Sequence, residues 1–259
     1  MSELSSNLRL QLAQLNNFLI ENYLSKLESQ GSEKDPYAYL FNSFLQLSQH
    51  LAAIGSTIGS LGNLPEGSLL PLKEAITKAV DVVYLIEKAN GIDELTSYIE
   101  GINTAILLNS IKNISAYGKQ FGIVQAEIDA EIKELKQDNS AYFNIDGTLK
   151  FESYEFHFDE AIAYLSHYAA VSRVKNAFKK IADTYQYFSS MISVTSVADT
   201  NYTGNKAFIG NLLNTLTVLL IALSYVEPFF QKSTEITQIF ERHIIDITST
   251  QTSLLNELL

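Results

Sequence analysis

"KAFIGNLLNTLTVLLIALSYVEPF", residues 206–229, governs how the rest of the chain is read, because no charged side chain interrupts the twenty residues between Lys206 and Glu227. A helix of that length covers about 30 Å, the thickness of a bilayer's hydrocarbon core, and the segment averages roughly 1.8 in hydropathy, near the threshold for spanning. From Leu216 onward, "LTVLLIALSYV" is apolar on every side, whereas a bundle helix with one solvated face shows polar residues at every turn. Two readings stay open: the innermost helix of a bundle, or a segment that meets lipid. Asn211, Asn214, Thr215 and Thr217 favour the first, since isolated polar groups in lipid cost free energy unless they pair.

The preceding stretch has the same character. "TYQYFSSMISVTSVA" (184–198) holds fifteen uncharged residues, and the polar "DTNYTGNK" (199–206) joins it to the apolar segment. The spacing predicts two helices near fifty residues each, about 154–198 and 205–257, paired as an antiparallel hairpin with its uncharged parts at the tip. Upstream, Arg173, Lys175, Lys179 and Lys180 form the densest basic cluster of the chain. Such charges beside an apolar tip suit anionic headgroups at about 1 kcal/mol each, and equally suit a solvated helix face. A second apolar apex spans 51–72, with Glu66 as its one charged residue, where Ile54, Gly55, Ile58, Gly59 and Leu61 surround a GxxxG spacing that lets helices approach closely in a membrane or in a tight soluble bundle.

Composition agrees with long helices. The 259 residues are 46% hydrophobic and 18% charged, enough for a real core, and twelve Gly and four Pro leave few segments broken. A net charge of −11 disfavours nucleic acid as a partner, because phosphate neutralisation needs a basic surface. The absence of Cys removes disulfides, thiolate metal sites and Cys nucleophiles. The first 28 residues lack the basic and continuous apolar regions of a Sec-type signal peptide, and Leu8, Leu12, Leu15, Leu19 and Leu27 mark a helical stripe instead. Export, if it occurs, is expected to use another route.

Further helices are expected at about 3–29, 36–62 and 69–89, the last stopped by Asn90-Gly91. A fourth of about 46 residues, near 70 Å, is expected from the stripe Leu95, Ile99, Ile102, Ile106, Phe121, Val124, Ile128, Ile132 and Leu135. Asp146-Gly147 signals a turn within 138–156, with a short hairpin possible around it.

Catalytic signatures are missing. Glu155, His157, Asp159 and Glu160, and again Glu241, His243 and Asp246, cluster without ExxH or HExxH spacing, and solvated helix surfaces account for both. No GxxxxGK[ST], GxGxxG or GxSxG occurs. The expectation is a non-enzyme with no cofactor and no metal.

An all-α chain without Cys or signal peptide, with an uncharged helical head on an acidic body, resembles the cytolysin A type of α-helical pore-forming toxins. Its size is most similar to the small membrane-binding component of the tripartite toxins of Gram-negative bacteria. The resemblance implies one elongated antiparallel bundle of five or six long helices over residues 1–259. Its tail would comprise about 1–50, 73–183 and 227–259, and its hydrophobic head 184–226, with 51–72 as a possible addition. It implies a secreted protein that acts without an active site, binds a lipid membrane and recruits other toxin components. Met191, Ile192, Val194, Phe208, Ile209, Leu212, Leu213, Leu216, Leu219, Leu220 and Leu223 become the lipid-contacting candidates. A water-soluble form must hide such a head, under the 51–72 apex or in a homo-oligomer packed head to head. Full crossing would drag Asp199 and Lys206 through lipid at about 2.5 to 3.5 kcal/mol each, so shallow insertion is expected. The competing expectation is a soluble helical-bundle scaffold in which 207–226 is simply the core helix.

Overall fold

Helical periodicity carries directly into three dimensions. The computed structural model describes residues 3–24, 36–59, 69–194 and 206–258, and among these it contains nine α-helices and no strand. They are α1 (Glu3–Leu19), α2 (Pro36–Gly59), α3 (Leu69–Lys88), α4 (Ile92–Gln120), α5 (Gln125–Asp138), α6 (Phe158–His167), α7 (Ser172–Val194), α8 (Lys206–Val226) and α9 (Thr234–Leu258). Internal packing divides the chain into two units, residues 1–88 with 158–259, and residues 89–157.

The first unit is built around α8, which packs against α2, α3, α7 and α9. Leu212, Leu213, Leu216, Leu219, Leu220 and Leu223 are all buried. At about 1.5 to 3 kcal/mol per leucine, this row alone contributes on the order of 10 kcal/mol before chain entropy is counted. The surrounding helices are amphipathic: α1 turns Leu8, Leu12, Leu15 and Leu19 inward at 0 or 1% exposure, while Ser6, Asn7, Gln14 and Asn17 face out or lie at the edge. The expected Leu27 lies outside the described residues.

Three of the expected helices are shorter than their stripes suggest. The helix expected over 205–257 ends at Val226, followed by a single 3-10 turn at Glu227–Phe230, a left-handed Gln231 (φ 47°), and then α9. Pro228 is the cause, because it has no N–H to give to the preceding turn and its ring collides with the carbonyl four residues back. The helix expected over 154–198 breaks at 168–171 without any Gly or Pro. There the Glu87 carboxylate accepts from the Ala170 N–H at 2.9 Å, a contact 83 residues away in sequence that holds the turn. A hairpin of two fifty-residue helices is therefore replaced by α6, α7, α8 and α9 folding back in turn.

The second unit corrects the 70 Å helix. α4 and α5 are separated by Phe121–Val124, where Gly122 has φ 69°. They pack on each other, and the approach depends on Gly118: a Cβ there would lie 2.4 Å from Ile128 Cδ1. The periodic stripe thus continued through a fold. Phe121 and Val124, expected on the buried face, are 73% and 64% exposed. The Asp146-Gly147 turn forms as expected, with Gly147 at φ 80°, Asn144 N–H bonded to the Thr148 carbonyl at 2.7 Å and one bridge between Phe143 and Leu149.

Candidate membrane-binding head

Both apolar apices belong to the first unit, and the helices that flank them converge at one end of it. α7 and α8 run antiparallel there, with the Phe188 and Phe208 rings 6.1 Å apart and the Thr184 hydroxyl donating to Asn211 Oδ1 at 2.8 Å. Lys73, one turn into α3, places its ammonium 4.7 Å from the Tyr185 ring of α7. α2 antiparallels α3, with Tyr39 near its start donating to Asp81 near the end of α3. The end of α2, the start of α3, the end of α7 and the start of α8 therefore share one end of the bundle.

Of the lipid-contacting candidates, Met191, Phe208, Leu212, Leu213, Leu216, Leu219, Leu220 and Leu223 are buried, and Ile192 and Ile209 are half-buried. Val194 closes α7, but its side chain and the whole of Leu61 lie outside the described residues. Ile54 and Ile58 are buried too, at 0 and 2% exposure. A Cβ on Gly55 would lie 3.6 Å from Leu12 Cβ, so this half of the GxxxG spacing faces α1. The cover over α8 comes from helices of the same chain.

The polar residues of α8 are satisfied inside the bundle. Thr215 and Thr217 donate to the carbonyls of Asn211 and Leu213, both at 3.0 Å, and Asn211 donates to the Ala207 carbonyl at 2.9 Å. From α9, buried Gln251 donates to the Leu213 carbonyl at 2.6 Å and to the Thr217 hydroxyl. At the far end of α8, buried Glu227 accepts from Tyr23 at 2.7 Å and from Thr237 at 3.0 Å through the same oxygen, and Tyr225 donates to Glu87. Burial, then the carboxylate acceptor, pushes both tyrosine hydroxyls well above their ordinary value. These two phenols thus hold their protons and clamp α8 at neutral pH.

The basic cluster sits elsewhere. Arg173, Lys179 and Lys180 are exposed and Lys175 is half-buried, with Arg173 donating to the Thr248 hydroxyl at 3.2 Å. Lys180 precedes Val194 by fourteen residues, about 21 Å along α7. A shallowly inserted tip would leave these cations below the headgroups.

No family model, curated protein or solved structure matches this chain. Among the described residues no group of His, Asp and Glu is arranged to hold a metal ion. The helix and turn from Lys206 to Phe230 have the length and mean hydropathy, 1.8, to cross a membrane, while 61% of the most apolar 18 residues are buried in the bundle.

Two features escaped the sequence reading. The first is a buried polar cluster between α2 and α3: Asp81 accepts from Tyr39 and Lys78, whose ammonium lies 3.4 Å from the carboxylate and 4.4 Å from the Tyr39 ring. Burial raises the Asp81 carboxyl above the ordinary carboxylate range against the pull of Lys78, and lowers the Lys78 ammonium against the pull of Asp81. Lys78 and Asp81, three residues apart on a helix, were the available signal. The second is the exposed apolar turn between α4 and α5, for which Gly122 within an otherwise helical stripe was the signal.

Two histidines give the fold an acid sensitivity. Burial holds His50 and His243 below the ordinary imidazole value, with Glu74 and Asp246 respectively pulling back. Between those lowered values and about 6.5 the unfolded chain binds the extra protons, so stability falls as pH drops through that window. Asp81, its carboxyl raised by burial, acts in the opposite sense. Urea midpoints of the wild type are expected to decline from pH 7.5 to 5.5, and those of a His50→Gln/His243→Gln variant to decline less. Superimposable slopes would refute the burial of both rings.

Proposed function

We propose that this protein is a membrane-binding component of a pore-forming toxin, an elongated helical bundle in its water-soluble form that stores its apolar helix and releases it at a lipid surface. The observation that supports this reading is that the helix ends flanking both apolar apices gather at one end of the first unit, with the span-length helix α8 starting there. Helix ends that lead into two separate apolar stretches would then supply one head. Insertion would begin at the exchange of intrachain cover for lipid, with α2 and α3 moving aside. Partner components would then assemble on the exposed bundle.

A second reading is favoured by the hydrogen bonds from Gln251 and Thr184 to α8. They are what a permanent core helix needs, and under this reading the protein is a soluble bundle scaffold.

Vesicle co-flotation separates the two, with hydrogen exchange as its second readout. The toxin reading expects the full chain to float, and exchange in α2 and α3 to rise by at least tenfold while α8 stays protected in lipid. The spacing of Leu12 and Gly55 also permits a disulfide, since Cβ atoms 3.6 Å apart lie within the usual range. In a Leu12→Cys/Gly55→Cys variant, which has no other cysteine to scramble, oxidation is expected to suppress flotation and reduction to restore it. No flotation of wild type on neutral or anionic vesicles would leave the scaffold reading.

A further inference from the structure

The turn between α4 and α5 is the most apolar exposed place in the second unit. Tyr117, Phe121, Ile123 and Val124 are 58, 73, 43 and 64% exposed, and they sit within eight residues. The rings of Tyr117 and Phe121 stack at 6.5 Å, so the aromatic pair is held as one surface. From Gln120 to Ala126 no residue carries a charge.

We infer that this turn is a lipid-surface anchor that takes the interfacial region of a zwitterionic bilayer. Three observations select this occupant. The patch is convex, the outer bend of a helical hairpin, whereas peptide and small-molecule sites are grooves or clefts. Its first half already has its backbone donors paired, as a low-dielectric medium requires: the N–H groups of Phe121, Gly122 and Ile123 donate to the carbonyls of Tyr117, Lys119 and Gly118 at 2.9, 3.3 and 2.8 Å. The charge around it selects the lipid. Residues 89–157 hold eleven acidic and five basic side chains, which repel an anionic surface and leave a neutral one unopposed. Tyr117, with an apolar ring and a polar hydroxyl, stands at the rim where aromatic residues settle between headgroup and chain. The anchor extends the membrane reading above to a second contact, outside the α8 head, and stands or falls separately from it.

The chain has no Trp, so Phe121→Trp reports from this turn alone. With phosphatidylcholine vesicles its emission is expected to shift to the blue and to be quenched by brominated phosphatidylcholine, while a Tyr168→Trp reporter in the other unit stays unshifted. Adding phosphatidylserine should weaken the effect. The exposed pair Phe121→Asp/Val124→Asp should fold normally and lose at least tenfold in vesicle affinity. If wild type floats while Phe121→Trp is unshifted and the double variant floats equally, the anchor is refuted and the α8 head stands. If Phe121→Trp shifts while exchange in α2 and α3 is unchanged, the anchor stands and the head is refuted. A shift that grows with protein concentration in the absence of vesicles would assign the turn to a second copy and overturn the proposal.

Discussion

Replacing Leu219 with glutamate abolishes cooperative folding of the first unit. Leu219 is fully buried in α8, with α2, α3, α7 and α9 packed around the helix. The leucine-to-alanine change alone should cost about 2 to 5 kcal/mol through lost transfer energy and a residual cavity. Glutamate adds an unpaired buried charge worth several kcal/mol more, against a total stability of about 5 to 15 kcal/mol for a domain. Far-UV circular dichroism and urea titration are the readouts. The appropriate comparison is Phe121→Asp, which introduces the same charge at an exposed site and should change stability by no more than about 0.5 kcal/mol. A Leu219→Glu protein with the wild-type urea midpoint would mean that α8 is not where the core is.

The second large effect is expected at Lys78. Its ammonium compensates the buried Asp81 carboxylate between α2 and α3, and breaking such a pair from one side costs about 3 to 5 kcal/mol because the remaining charge stays buried. Lys78→Met should lose that amount in urea denaturation at pH 7. Lys78→Met/Asp81→Asn should recover most of it, since the amide oxygen still accepts from Tyr39 without a charge. The pH dependence gives the signature. With Lys78 gone, the Asp81 carboxyl rises further in the folded state, so the folded chain binds the additional proton and the deficit shrinks as pH falls through that window. A deficit that stays constant from pH 7 to 4, or a double variant as weak as the single, would show that packing and not charge is responsible.

How far the sequence could be read depended on which interactions were local. α3 was bounded within a residue because Asn90-Gly91 stops a helix by its own backbone preference, and the Asp146-Gly147 turn was legible for the same reason. The break at 168–171 was not, because it is held by Glu87 from 83 residues away. Pro228 was visible and should have ended the last helix, but the long apolar run around it outweighed it. For Phe121 and Val124 the stripe of period 3.6 persisted across a turn, and periodicity cannot distinguish one helix from two that fold back with the pattern in phase. The apolar character of 207–226 was plain from the residues, whereas its cover was not, since cover is supplied by α2, α3 and α9 through contacts no single window contains.

The pairing of α1 with α9 sets when this protein can fold. Phe18 of α1 lies 5.3 Å from the His243 ring of α9, so the first bundle helix waits for a partner about 215 residues later. At ribosomal speeds of about 5 to 20 residues per second, that delay is roughly 10 to 40 s. Throughout it α1, α2 and α3 have one another but lack α8 and α9. Only residues 89–157, a contiguous stretch, can complete their contacts while the chain is still growing. The first unit thus stays incomplete, with apolar helix faces open to water, until α8 and α9 emerge.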